Sequence, residues 1–212
     1  RAPGSDQRVA QAIRRTLKAG PDDFPRFVLE LQAYFAGDDR FGFVATPGAG
    51  AQVPLWILGS SLYGAQLAAA LGLPYAFASH FAPQALDEAL AIYRREFRPS
   101  AQLTEPYAMA GYNVIAADTA EEAQLLATSM QQSFVRLRTG EPGRMQPPLP
   151  GYLDSLPPGA RGMLDSVMSV SSIGTQDDVA RDLKAFVDRT GVDEVIVTGQ
   201  IYDAAARRRS FS

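Results

Sequence analysis

The segment Leu58-Gly59-Ser60-Ser61-Leu62-Tyr63-Gly64-Ala65-Gln66 sets two adjacent hydroxyls and two glycines where an apolar run gives way to a helical pattern. At a strand-to-helix turn the first N–H groups of the helix lack intrahelical partners and sit at the positive end of its dipole. Ser60 and Ser61 add hydroxyls to those donors, and Gly59 and Gly64 allow close approach, so the chemistry offered is that of an oxyanion or phosphate site. A plainer reading stays open, in which Ser60 or Ser61 is an ordinary N-cap satisfying one backbone donor. In an α/β sheet the turn lies at the carboxyl end of a strand, where ligands bind. A second phosphate turn, Ser171-Ser172-Ile173-Gly174-Thr175, ranks below it, because Thr175 with Asp178 explains the pattern as a helix start without a ligand.

Other chemistry is narrow. The chain has no cysteine, which excludes disulfides, thiolate catalysis and Cys-ligated metals. His80 is its single histidine, which excludes a His-rich metal site and argues against a mixed carboxylate one. No metal is expected. An imidazole titrates near neutral pH, so His80, within Ala78-Ser79-His80-Phe81-Ala82, is a weak catalytic candidate as a donor; the alternative is a histidine that orients a loop. Among the aromatics, Tyr63 falls in the serine turn and is the better contact candidate, whereas Trp56 sits inside an apolar run and is expected in the core.

The elements that must position these groups follow from periodicity. Two helices are expected first, over residues 6–19 and 22–36, the second stopping at Gly37. Continuous apolar runs then mark strands at 53–59, 75–78, 107–117 and 194–199, each followed by a helical pattern. Asp118 with Glu121 reads as the capping-box start of the helix after the third strand. Residues 139–160, rich in Gly and Pro, read as a long loop of the kind that serves as a lid or binding element. Alternating strands and helices imply a parallel sheet covered by helices; four strands alone do not decide between a closed barrel and an open sheet. No G-x-G-x-x-G is present, which weakens the dinucleotide-binding alternative.

A net charge of −3 with both signs interspersed gives no reason to expect a nucleic-acid partner. The one tight basic run, Arg207-Arg208-Arg209, suits the last turn of a helix. No apolar run approaches a membrane span and no signal pattern is visible, so a cytoplasmic protein is expected.

Three blocks, RAPGSDQ from Arg1, VPLWILGSSLYGAQLAAALGLPYAFASHFAP from Val53 and IGTQDDVARDLKAFVDRTGVDEVIV from Ile173, resemble the luciferase-like monooxygenase family, in order and over nearly the whole chain. The resemblance implies an α/β fold of the (β/α)₈ TIM-type barrel class. On it, residues 1–212 read as one domain, the C-terminal part of an incomplete barrel whose early strands lie upstream. It implies FMN, in reduced form from a separate flavin reductase, with O₂ and a small organic substrate, and a possible homodimer. Arg1 matches the family's phosphate-binding arginine, and Ser60, Ser61 and Gly64 match its phosphate turn. Ser60 stands where luciferases of the family carry an acidic residue, which leaves this turn less negative. His80 is placed beside the flavin ring, while the family's better-known base falls on an earlier strand. A deazaflavin-dependent dehydrogenase, a non-catalytic flavin-binding homologue and a phosphosugar barrel are the alternatives. A chain lacking the early strands is expected by itself neither to retain flavin nor to turn over substrate.

Overall fold

The computed structural model describes residues 23–38, 42 and 44–212. Arg1 and the helix expected over residues 6–19 lie outside them. Two compact units, residues 1–55 and 56–212, divide the chain. In the first, helix α1 (Phe24–Ala36) opens with a proline and closes at Gly37, whose φ of 76° is the left-handed C-cap conformation.

The second unit holds the remaining elements in strand–helix alternation. Strand β1 (Ile57–Gly59) leads to α2 (Leu62–Leu71), and β2 (Tyr75–Phe77) leads through a 3₁₀ turn at Pro83–Ala85 to α3 (Leu86–Glu96). Strand β3 (Ala108–Ala116) is followed by α4 (Ala120–Arg138), the one-turn α5 (Tyr152–Ser155) and α6 (Pro158–Val167). Then come β4 (Ser171–Gly174), α7 (Gln176–Thr190), β5 (Glu194–Thr198) and α8 (Ala204–Ser210). Among the described residues no helix is long and apolar enough to cross a membrane.

All the strand pairings are parallel, β1 with β2, β2 with β3, and β3 with both β4 and β5. Register shows how β3 serves three neighbours. Ala110 pairs with Phe77 on one side and Val195 on the other; Asn113 pairs with Ser171 on one side and Thr198 on the other. Thus β5 runs along one edge of β3, while β2 and β4 share the opposite edge in succession.

The helix-facing side of the sheet carries Ile57, Tyr75 and Phe77, buried together with Ala65, Ala68 and Ala69 of α2 and with Leu86, Leu90 and Tyr93 of α3. Alanines let α2 approach closely, and the Tyr75 and Tyr93 rings lie 5.4 Å apart. A second cluster joins Ile115 to Leu126, Ala127, Met130 and Phe134 of α4, Leu164 and Val167 of α6, and Ile201. The other side of the sheet is open at its margins. Leu58 of β1 is 71% exposed and Ile196 of β5 is 49% exposed. Neither β1 nor β5 has a second strand neighbour among the described residues, which is the form of a barrel segment rather than of a closed barrel.

Several expectations are corrected. The first strand begins at Ile57 rather than at residue 53, because its ladder starts with the Ile57–Tyr75 pair. Trp56 therefore precedes the ladder; it is 36% exposed and meets Tyr107 edge-on at 5.7 Å instead of lying in the core. Ser171–Gly174, read as a turn, is a fifth strand. The cap of α4 is Thr119, which accepts from the Glu122 N–H at 3.2 Å, while Asp118 pairs with Arg209. The stretch read as loop over residues 139–160 contains α5 and the start of α6.

Candidate functional site

The turn after β1 is shaped by two glycines and one phenol. A Cβ on Gly64 would stand 3.5 Å from the Gly59 Cα and 3.4 Å from the Tyr75 ring, so the first turn of α2 lies directly on the strand end. Beneath it, the Tyr75 hydroxyl donates to the Ser61 carbonyl at 3.3 Å. Burial pushes the Tyr75 phenol far up from its ordinary range, which keeps that donor protonated.

Ser61 occupies the N-cap with extended φ/ψ of −143° and 165°, yet its side chain makes no capping hydrogen bond. Ser61 is thus the N-cap by position, as the plainer reading expects, but its hydroxyl does not satisfy a helix N–H. Both serines are exposed, and Tyr63 beside them is 46% exposed. No acidic residue occupies the first turn of α2, whereas α3, α4 and α7 each carry two there. Hydroxyls, free N–H groups and a positive helix end unopposed by carboxylate form a donor set for an oxyanion.

The rival turn before α7 is filled by the chain itself. Asp178 accepts from the Thr175 hydroxyl at 2.7 Å and from the Thr175 N–H at 3.0 Å, and its backbone N–H donates to the Thr175 hydroxyl at 3.4 Å. The Thr175 hydroxyl first, then Arg181, pull the Asp178 carboxyl down to about 2. Ser172 donates to Asp182 at 2.7 Å. A Cβ on Gly174 would stand 2.8 Å from the Asp178 side chain, so a carboxylate occupies the place an external anion would take.

The open side of the sheet carries a polar group that sequence reasoning found only in part. In-register alternation puts Leu58, Ala76, Met109, Gly111, Asn113, Ser171, Ile196 and Thr198 on it. His80 lies over Gly111: a Cβ there would fall 2.0 Å from the imidazole Nδ1. Asn113, fully buried, donates from Nδ2 to the His80 carbonyl at 2.8 Å and toward Ser171 Oγ at 3.4 Å, and accepts from the Thr198 hydroxyl at 2.8 Å. Ser79, also fully buried, donates to the Gly111 carbonyl at 2.6 Å. One amide within β3 thus ties together the chain leaving β2, the start of β4 and the end of β5. Burial lowers the His80 pKa and favours the neutral ring. The signal for Asn113 was available, since an amide inside the run Ala108–Ala116 is a buried polar residue that must be partnered.

The Ala78 N–H donates to the Gly59 carbonyl at 2.9 Å, so the serine turn and the segment leading to His80 are neighbours. Gly59, Ser60, Ser61, Tyr63 and Gly64 are gathered in one turn, with His80 at the end of the adjoining strand. Arg1 lies outside the described residues.

Comparison with known proteins places this geometry. A luciferase-like monooxygenase of Escherichia coli strain K12 is 48% identical over 212 residues, which are all of this chain and 63% of that protein. The chain therefore spans less than two-thirds of this relative. The crystal structure of apo-MsnO8 superposes with a TM-score of 0.88 at 30% identity, covering all of this chain and 64% of that one. At the level of fold alone, the oxygenating constituent of 3,6-diketocamphane monooxygenase from Pseudomonas putida, solved with FMN, is similar with a TM-score of 0.62 at 17% identity over 98% of this chain and 66% of that one. The parallel sheet is accordingly part of a (β/α)₈-type barrel. The family model for luciferase-like monooxygenases matches residues 11–194, and the chain belongs to that family.

Proposed function

We propose that this chain carries the flavin-phosphate site of an FMN-dependent monooxygenase-type oxidoreductase that oxidises a small organic substrate with O₂. The observation that carries the reading is the turn after β1, where two exposed serine hydroxyls adjoin uncapped helix N–H groups with no carboxylate in the first turn. A phosphomonoester is an oxyanion acceptor of the kind this donor set suits. The family supports the reaction class, and the FMN-bound neighbour supports a flavin on this fold.

FMN, when bound, supplies the redox chemistry with O₂. The chain's own residues hold and orient it. Ser60, Ser61 and the α2 N–H groups take the phosphate, Gly59 and Gly64 keep the turn close, and Tyr63 offers an exposed ring beside it. The family resemblance adds Arg1, whose two-pronged donor suits a phosphate, as a cofactor-binding candidate, and assigns His80 to the ring end of the site. A reductase partner, a homodimer and a cytoplasmic setting belong to the same proposal, as does one domain over residues 1–212.

The test is a fluorescence titration of the full-length protein with FMN and with riboflavin, which lacks the phosphate. The wild type prefers FMN, and Ser60→Ala/Ser61→Ala reduces that preference by about 10-fold or more, as expected for losing hydrogen bonds to a charged group worth about 1.5–3 kcal/mol each. Equal affinity of the wild type for the two ligands refutes the phosphate site. Substrate-stimulated O₂ consumption with reduced FMN then separates a monooxygenase from a deazaflavin dehydrogenase or a silent flavin carrier.

A further inference from the structure

We propose that His80 is preset as an Nε2–H donor toward the open side of the sheet, with Gly111 and Asn113 as the positioning residues that fix its ring.

Of the two ring nitrogens, Nδ1 is fully enclosed and has no hydrogen-bond partner among the described residues. The ring lies against Gly111, so close that an alanine Cβ there would fall 2.0 Å from Nδ1 and 2.9 Å from Cε1. A proton on Nδ1 would be a buried donor without an acceptor, which is costly. The neutral ring therefore keeps its hydrogen on Nε2.

Two hydrogen bonds hold the chain segment from which the ring projects. Asn113 Nδ2 holds the His80 carbonyl at 2.8 Å, and the preceding Ser79 hydroxyl holds the Gly111 carbonyl at 2.6 Å. Asn113 is itself held by Thr198 at 2.8 Å. The chain around His80 is thus pinned to β3 at Gly111, over which the imidazole lies, and at Asn113 two residues on. A donor fixed in this way selects a ligand that presents an acceptor there, such as a carbonyl oxygen, an unprotonated ring nitrogen or an anionic oxygen, and disfavours one that presents N–H or O–H. In assigning that ligand to a flavin it rests on the function proposed above; the tautomer itself does not.

The experiment is long-range ¹H–¹⁵N NMR of the ¹⁵N-labelled full-length protein without ligand, above neutral pH. The His80 signals are assigned by their loss in His80→Gln. The expected pattern is a single tautomer with bare Nδ1 and protonated Nε2. The opposite tautomer, or two nitrogens averaged as in free imidazole, overturns the proposal. Gly111→Ala and Asn113→Ala, with folding checked by circular dichroism, are expected to lose the single-tautomer pattern. If both fold and leave it unchanged, Gly111 and Asn113 do not position the ring. The wild-type spectrum decides the tautomer even where a variant does not fold. FMN added to the same sample gives a separate answer, because absence of binding counts against the proposed function while the ligand-free tautomer stands on its own.

Discussion

Replacing Tyr93 by Phe tests the joint that sets β2 against β3, and with it His80 against Gly111. Tyr93 is fully buried on α3, its ring 5.4 Å from Tyr75 and 5.6 Å from Phe97. Its hydroxyl faces the Leu73 carbonyl at 3.0 Å and the Tyr107 carbonyl at 3.2 Å, and accepts from the Tyr107 N–H at 3.0 Å. Leu73 precedes β2 and Tyr107 precedes β3, so one oxygen links the approaches to both strands. Tyr93→Phe keeps the ring contacts and strands the Tyr107 N–H and the Leu73 carbonyl. The Tyr107 carbonyl keeps a partner, because it also accepts from the Tyr75 N–H at 3.0 Å. Two stranded groups at roughly 1–2 kcal/mol each predict a loss of about 2–4 kcal/mol. Urea unfolding followed by circular dichroism reads this as a lower midpoint with unchanged slope. Tyr75→Phe is the internal control. Its hydroxyl makes one long bond, 3.3 Å, to a carbonyl at an exposed serine, so its loss is expected to cost about 1 kcal/mol or less. A Tyr93→Phe midpoint indistinguishable from wild type, or a larger loss in Tyr75→Phe, refutes the reasoning.

Two pH effects follow from opposite ends of the scale. Asp178 has a folded pKa of about 2 against 3.8, so its hydrogen bonds stabilise the fold fully above 3.8 and are lost as pH falls toward 2. In Asp178→Asn the acid limb of the stability profile should flatten between those values; an unchanged limb argues that other carboxylates dominate it. His80 is a base whose folded pKa is lowered from 6.5 by burial, so on acidification the unfolded chain binds its proton first. Stability should therefore fall as pH drops below 6.5, down to the folded value, and His80→Gln should remove that slope. A stability that rises on acidification through the same range contradicts the burial of the ring.

The strand–helix alternation and the serine turn were legible because they rest on local signals, namely apolar runs, glycine stops and hydroxyls at a strand end. What the sequence could not show was which donors end up satisfied. Thr175 and Ser61 look alike as helix starts, yet Thr175 is closed by Asp178 three residues on, whereas Gly64 stands at that place after Ser61 and leaves the turn without an acceptor. The strand at Ser171–Gly174 escaped notice because four residues with two serines lack an apolar run; its place depends on the edge of β3, far away in the chain. Trp56 was misplaced for a related reason, since where a ladder begins depends on its partner strand. Gly111 had meaning only once β3 was seen to carry neighbours on both edges, and Asn113, legible as a buried amide, only then gained its partners.

The shortness of β2 is what makes room for His80. On the shared edge of β3, β2 pairs only as far as Ala110 and β4 begins only at Asn113, so Gly111 and Tyr112 have no strand beside them there. A vacant ladder position leaves a buried carbonyl without a partner unless something else supplies one. Ser79 supplies it to Gly111, and the Asn113 amide in turn takes up the His80 carbonyl, so the chain leaving β2 is stitched across the gap by side chains instead of by backbone. That stitching carries the imidazole over a residue without a side chain, on the side of the sheet opposite Tyr75 and Phe77. A longer β2 would extend the ladder past this point, satisfy Gly111 from the backbone, and carry residues 79 and 80 along the strand rather than across its end. The interruption in the sheet, between the end of β2 and the start of β4, is therefore the structural cause of the polar cluster.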